Sequence, residues 1–239
     1  MSLANQRVVV LGGTSGIGLA TADLAARQGA EVVVASSNPR SVERALSALP
    51  GGVKGDVADL TDPAQVSALF GRIGPFDHLV FTAGEPLVLM PLDALDLGAA
   101  MDFFTLRYFG ALSAVTAALR HLREGGSVVL TTGIAGDRPS PGWVVAASIL
   151  GAVESMVRGM AVELAPLRVN AVSPGVVRSP LWAALDDDAR EEMYAGTGAS
   201  LLLGRVGEVE DIAEAYVFLM RERWATGTIV TVDGGALLV

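Results

Sequence analysis

The chain has 239 residues, carries a net charge of −9 at neutral pH, contains no cysteine, and is 51% hydrophobic against 18% charged. That length suits one domain, residues 1–239, with one sizeable core, and the composition excludes a disordered chain. The acidic balance, with no cluster of Lys and Arg, argues against nucleic acid or an anionic membrane as partner, and the lack of cysteine excludes disulfides, thiolate chemistry and cysteine-type zinc sites.

Residues 1–7 hold one basic residue and no apolar run, so no secretory leader is expected there. No uninterrupted apolar run reaches the roughly 18 residues of a membrane span, and a cytoplasmic protein is the expectation. In chain order, short β-branched apolar runs at residues 8–11, 32–35, 79–81, 127–131, 169–172 and 228–232 alternate with helical stretches. Continuous rather than alternating apolar character marks strands buried on both faces, the parallel-sheet pattern. The predicted fold is α/β: a single-domain, Rossmann-type, doubly wound parallel sheet of about seven strands with helices on both faces.

Leu19, Ala22, Leu24 and Ala25, and later Ile212, Ala215, Tyr216 and Leu219, recur at helical spacing and predict two sheet-packing helices. Two long helices are expected over 102–122 and 144–164, with more apolar residues than one sheet-facing stripe requires. Residues 179–204 are the least regular stretch and read as a mobile substrate lid.

Directly after the first strand comes Gly12-Gly13-Thr14-Ser15-Gly16-Ile17-Gly18, opening a helix. A glycine-rich turn in that setting lets backbone N–H groups and the helix N-terminus hold a pyrophosphate. Further motifs follow in order: Asp56-Val57, Thr82-Ala83-Gly84, Arg168-Val169-Asn170-Ala171-Val172 with Pro174-Gly175, and Val232-Asp233-Gly234-Gly235. With the spacing Gly-x-x-x-Gly-x-Gly, they resemble the short-chain dehydrogenase/reductase (SDR) family over nearly the whole chain. The resemblance implies a nicotinamide dinucleotide held by Gly12, Thr14, Ser15, Gly16, Ile17 and Gly18. It also implies Asp56 and Val57 beside the adenine, Thr82, Ala83 and Gly84 at the end of the fourth strand, and Pro174, Gly175 and Val177 on the nicotinamide side. Thr82 stands where the family has Asn. The two long helices form dimer and tetramer contacts in that family, so a homo-oligomer is expected.

NAD enzymes usually place a carboxylate at the end of the second strand to bind the ribose 2′-hydroxyl. Here the residues are Ser36, Ser37, Asn38, Pro39 and Arg40. With no acid to repel a 2′-phosphate, and hydroxyls and Arg40 to bind one, NADP(H) is favoured over NAD(H); the bland alternative makes Arg40 a solvated charge on the next helix.

Family members reduce carbonyls with Asn, Ser, Tyr and Lys, because the alkoxide formed by hydride transfer must be protonated and stabilised. Carried onto this chain, the Tyr position is Ala146, the Lys position Leu150, the Ser position Gly133 and the Asn position Arg107. All four are replaced. No Tyr lies between Tyr108 and Tyr194 and no Lys follows Lys54, so no shift of alignment restores the set. The catalytic candidates left are Arg107, whose guanidinium facing the nicotinamide would bind a carboxylate or polarise a carbonyl, and Thr132. Arg107 also reads as a packed bridge between helices, and Thr132 as a buried strand residue. Trp143 reads either as a wall of a substrate pocket or as packing. His78, before the fourth strand, and His121 lack metal-ligand spacing, and Asp186 to Asp188 read as helix-dipole complementation, so no metal is expected.

These residues point to an NADP(H)-binding oxidoreductase acting on a small, mostly apolar carbonyl or alcohol through an atypical proton-transfer site. The alternatives are a non-catalytic dinucleotide-binding sensor or partner subunit, and a lyase or isomerase with the cofactor structural.

Overall fold

A computed structural model describes residues 2–239. Seven strands, β1 (Arg7–Leu11), β2 (Glu31–Ser36), β3 (Lys54–Val57), β4 (Phe76–Phe81), β5 (Leu122–Thr131), β6 (Arg168–Pro174) and β7 (Ile229–Val232), form one sheet in the order β3-β2-β1-β4-β5-β6-β7. Every pairing is parallel, as the continuous apolar runs require once helices cover both faces. The strand order reverses between β1 and β4, which opens a crevice at their carboxyl ends.

Side chains alternate across the sheet into two cores. Val9, Leu11, Leu79, Val128 and Leu130 face α3 (Pro63–Ile73), α4 (Leu97–Phe104), α5 (Ala111–Ala118) and α6 (Val144–Glu163). Val8, Val10, Val80 and Val129 face α1 (Gly16–Arg27), α2 (Pro39–Ala48) and α8 (Val209–Arg221). The predicted stripes land there: Ala22 and Ala25 of α1 and Ile212, Ala215, Tyr216 and Leu219 of α8 are buried.

Four expectations need correction. β3 is absent from the apolar runs because Lys-Gly-Asp-Val is a mostly exposed edge strand, and edges do not demand continuous hydrophobes. The helix expected over 102–122 begins earlier, at an Asp96 cap, passes through a π-helical turn (Thr105–Gly110), and ends at Ala118, since Leu122 already belongs to β5. Residues 179–204 are not irregular: a short 3-10 turn (Pro180–Trp182) precedes α7 (Asp187–Ser200), whose polar sequence hides the period. His78 lies inside β4, not before it, with its Nδ1 2.9 Å from the Ser127 hydroxyl.

Helix α6 is long and apolar enough by composition to cross a membrane, but Ile149, Val153 and Val157 along it are buried in the core shared with β5 and β6. Its opposite face leaves Val162 exposed, as Met101 and Phe109 are on α4 and the π turn.

Candidate functional site

At the carboxyl end of β1 the backbone turns at Gly12, in the left-handed region at φ 83°, into α1. A Cβ at Gly12 would stand 2.5 Å from the Ala83 nitrogen, and one at Gly18 would stand 2.3 Å from the Gly12 oxygen and 2.4 Å from the Thr82 hydroxyl. Turn, helix and the end of β4 therefore meet at backbone contact, a fit that any side chain would break. Thr82 secures the junction from the other side, donating its N–H and its hydroxyl to the Leu11 carbonyl at 2.9 and 3.1 Å.

The N-terminus of α1 is left open. Helices α2, α3, α4 and α7 are capped by the side chains of Asn38, Asp62, Asp96 and Asp186, and α8 by a capping box of Glu208 and Asp211. Ser15, at the same position of α1, makes no side-chain cap, and no acid occupies that first turn. Unpaired N–H groups at the positive end of a helix dipole remain for an external anion, with Thr14 and Ser15 flanking them and Ile17 packed on the core. A dinucleotide pyrophosphate fits this cradle.

At the end of β2 two of the proposed ligands are already engaged. The Ser36 hydroxyl accepts the Asn38 N–H at 3.3 Å, and Asn38 accepts those of Arg40 and Ser41 at 2.9 and 3.4 Å. Ser37 and Arg40 are exposed, with Arg40 in the first turn of α2. Asp56, at the end of β3, is gripped by Arg72 at 2.8 Å and accepts the Val57 N–H.

On the far side, the Gly175 N–H donates to the Val232 carbonyl at 2.9 Å, and Val177 is buried and bridged to Gly207. The chain then returns over the glycine turn, where Pro180 lies 3.2 Å from the position of a Cβ on Gly16. Arg178, Ser179, Pro180, Arg190 and Tyr194 line a cavity of about 360 Å³ beside it.

Arg107 sits within the π-helical turn, a local geometry that often marks functional sites. Its guanidinium lies against Gly84, with Nη1 2.7 Å from where a Cβ would be, so a side chain there would displace it. It also stacks on Phe103 at 4.7 Å, donates to the Glu85 carbonyl, and faces the Glu85 carboxylate with Nε to Oε2 at 3.4 Å. Burial pulls its pKa below the usual value, opposed by the Glu85 charge. A guanidinium stays protonated at physiological pH nonetheless. Arg107 Nε and Glu85 Oε2 are both buried without a hydrogen-bond partner.

The family model for an SDR-like Rossmann domain matches residues 1–239. The chain belongs to the short-chain dehydrogenase/reductase family. Among curated relatives, the short-chain dehydrogenase/reductase ATR9 of Stachybotrys chlorohalonatus is 36% identical, covering 99% of both chains. Among solved structures, a small-chain dehydrogenase in complex with NADPH is 34% identical with a TM-score of 0.83, covering 98% of this chain and 99% of that one. The MalC Reductase/Diels-Alderase of Malbranchea aurantiaca is 31% identical with a TM-score of 0.92, covering 99% of this chain and 98% of the other.

The residues that the sequence resemblance sets at the acid–base positions of the family lie in apolar surroundings. Ala146 is buried in the core and Leu150 packs towards Gly133, its Cδ1 3.4 Å from the site of a Cβ there. Leu150 and Gly133 thus form one apolar contact. Thr132 is buried, and its hydroxyl donates to the Leu150 carbonyl of α6 at 3.2 Å. Glu85 and Phe103 escaped the sequence reading; Glu85 directly follows Thr82-Ala83-Gly84, which was its available signal.

A second cavity, of about 420 Å³, lies by His78, Glu124 and Arg168 at the amino ends of β4, β5 and β6. Ligands of open α/β sheets bind at the carboxyl ends, so we assign the candidate site to the crevice of Gly12, Gly84 and Arg107.

Proposed function

We propose that this SDR protein is an NADP(H)-dependent oxidoreductase for a small, mostly apolar carbonyl or alcohol, with Arg107 as its charge-stabilising group. The observation that carries the reading is the Arg107 guanidinium laid against Gly84 at the carboxyl end of β4. The cofactor supplies or accepts the hydride when bound. The open α1 N-terminus would hold its pyrophosphate, while Ser37 and Arg40, exposed at the acid-free end of β2, suit a 2′-phosphate. The NADPH bound to a relative 34% identical supports the same choice.

In the reduction direction, charge gathers on the substrate oxygen, and a fixed guanidinium donates hydrogen bonds to it without reorganising. Arg107 does not release a proton at neutral pH, so water delivers it after the charge is stabilised. Glu85 offsets the cation and holds its plane. The filled positions at Ala146 and Leu150 keep water and competing acids from the α6 side.

The test is a titration with NADPH and NADH followed by a carbonyl panel read at the NADPH absorbance, for wild type and Arg107→Ala. We expect tighter NADPH binding, measurable turnover, and a kcat loss of roughly 10²- to 10³-fold in Arg107→Ala with little change in cofactor Kd. Undiminished kcat in Arg107→Ala would remove that role. NADPH binding without turnover on any carbonyl would transfer the protein to the sensor or partner-subunit reading.

A further inference from the structure

Two of the three tryptophans in the chain meet across the mouth of the crevice. Trp143 stands at the start of α6 and Trp182 at the end of the short 3-10 turn, with ring centroids 6.4 Å apart and planes inclined by 50°. Each is partly buried and keeps some ring surface open. Their loops are tied to the segment that follows Glu85. The Leu87 N–H donates to the Leu181 carbonyl at 2.9 Å and the Met90 N–H to the Gly142 carbonyl at 2.8 Å. Trp182 is held from beneath by its indole N–H, which donates to the Val177 carbonyl at 3.0 Å. Three loops, from the carboxyl ends of β4, β5 and β6, thereby converge above Gly84 and the Val177 turn.

Their composition is one-sided. Residues 87–90 read Leu-Val-Leu-Met and residues 181–185 read Leu-Trp-Ala-Ala-Leu, without a polar side chain. Val88 and Leu89 are 54% and 51% exposed. Charge enters the mouth from Arg107 and Glu85 at its base, and from Arg178 and Arg190 on the lid side, where they pair with Glu191 and Asp187.

We propose that the substrate is a ketone, or the matching secondary alcohol, carried on a rigid fused-ring skeleton, and that Trp143 and Trp182 form the wall on which the ring lies. The inference rests on the oxidoreductase reading and names its substrate class. Two fixed indole faces, inclined to each other, give most contact to a rigid apolar partner of matching shape. A rigid ring system also surrenders no torsional freedom on binding, whereas a straight chain loses some for each bond that is frozen. The apolar loops then take the skeleton while Arg107 takes the single oxygen.

The experiment uses the remaining tryptophan to advantage. Trp224 is 95% exposed, so Trp224→Phe leaves Trp143 and Trp182 as the only indole reporters. In that background, with and without saturating NADP+, emission and acrylamide quenching are followed during titration with trans-decalone and with a straight-chain methyl ketone of equal carbon count. Decalone is expected to shift the emission and protect it from quencher, and the straight chain to do neither. In steady-state assays Trp182→Ala should raise the decalone KM roughly tenfold with kcat nearly unchanged, and leave the straight-chain KM alone. Trp182→Phe, which keeps a ring but loses the indole N–H, should recover most of the affinity. Equal response to both ketones, no response to decalone, or an equal KM rise for both substrates in Trp182→Ala overturns the proposal. Emission reports binding whether or not hydride moves, so an emission change without turnover counts against the oxidoreductase reading and for the wall.

Discussion

The two sides of the crevice have fared differently. On the β1–α1 side, Gly12, Gly16 and Gly18 keep the family spacing, and at Gly12 and Gly18 the structure shows backbone meeting backbone at distances that exclude a Cβ. On the α6 side, Gly133, Ala146 and Leu150 carry no ionisable group, and Leu150 packs towards Gly133. The first site is built from main-chain geometry, which tolerates almost no change. The second is built from side chains, and substituting them together leaves a well-packed helix and no cavity to penalise.

The contrast should be sharpest in a pair of variants. Arg107→Ala should lower kcat by roughly 10²- to 10³-fold at nearly constant cofactor Kd, whereas Gly18→Ala should weaken NADPH binding by roughly 10- to 100-fold through the forced clash of about 1–3 kcal/mol. Calorimetric Kd values beside kcat check both, and the comparison fails if the two variants have the same profile.

A smaller effect is expected from the body of the sheet, which serves as a control. Burial and the Arg168 charge lower the His78 pKa from 6.5 to about 4, with Asp77 opposing. The folded protein therefore refuses a proton that the unfolded chain accepts. Stability is complete above pH 6.5 and falls as pH drops towards 4, by about 3 kcal/mol at most. His78→Gln should flatten that fall in urea titrations, and an unchanged slope would assign acid sensitivity elsewhere. Any activity loss in this window has to be separated from unfolding in this way.

Placing a Tyr and a Lys on α6 provides the next break. Ala146→Tyr with Leu150→Lys should lower stability by about 2 kcal/mol, and Tm by roughly 4–8 °C, because Ala146 is buried in the core. A gain of turnover without loss of Tm would mean that the acid–base side had retained its space. The smallest effect belongs to Arg40→Ala, expected to reduce the preference for NADPH over NADH by roughly tenfold, the scale of one charge-assisted contact to a phosphate.

Much of this was legible in the residues themselves. The apolar runs located six of the seven strands, and the seventh, β3, was missed because Lys54, Gly55 and Asp56 sit on an edge that needs no hydrophobic pattern. That no Tyr lies between Tyr108 and Tyr194 and no Lys follows Lys54 was visible in the residues directly. The partners of Arg107 were not, because Phe103, Gly84 and Glu85 approach it from another turn of its helix and from the strand end, and only packing joins them. Trp143 had two readings open until Trp182 was found against it, 39 positions along the chain.

The sequence alone determined the parallel sheet and the glycine turn, because both follow from local requirements: strands buried on two faces must be apolar throughout, and backbone in close contact must be glycine. Tertiary structure alone decided where Arg107 points, that Leu150 packs towards Gly133, that the α1 N-terminus at the glycine turn carries no side-chain cap, and that two tryptophans share one mouth. Those are relations between side chains distant in sequence, set by how helices and loops pack on the sheet, and no periodicity along the chain encodes them.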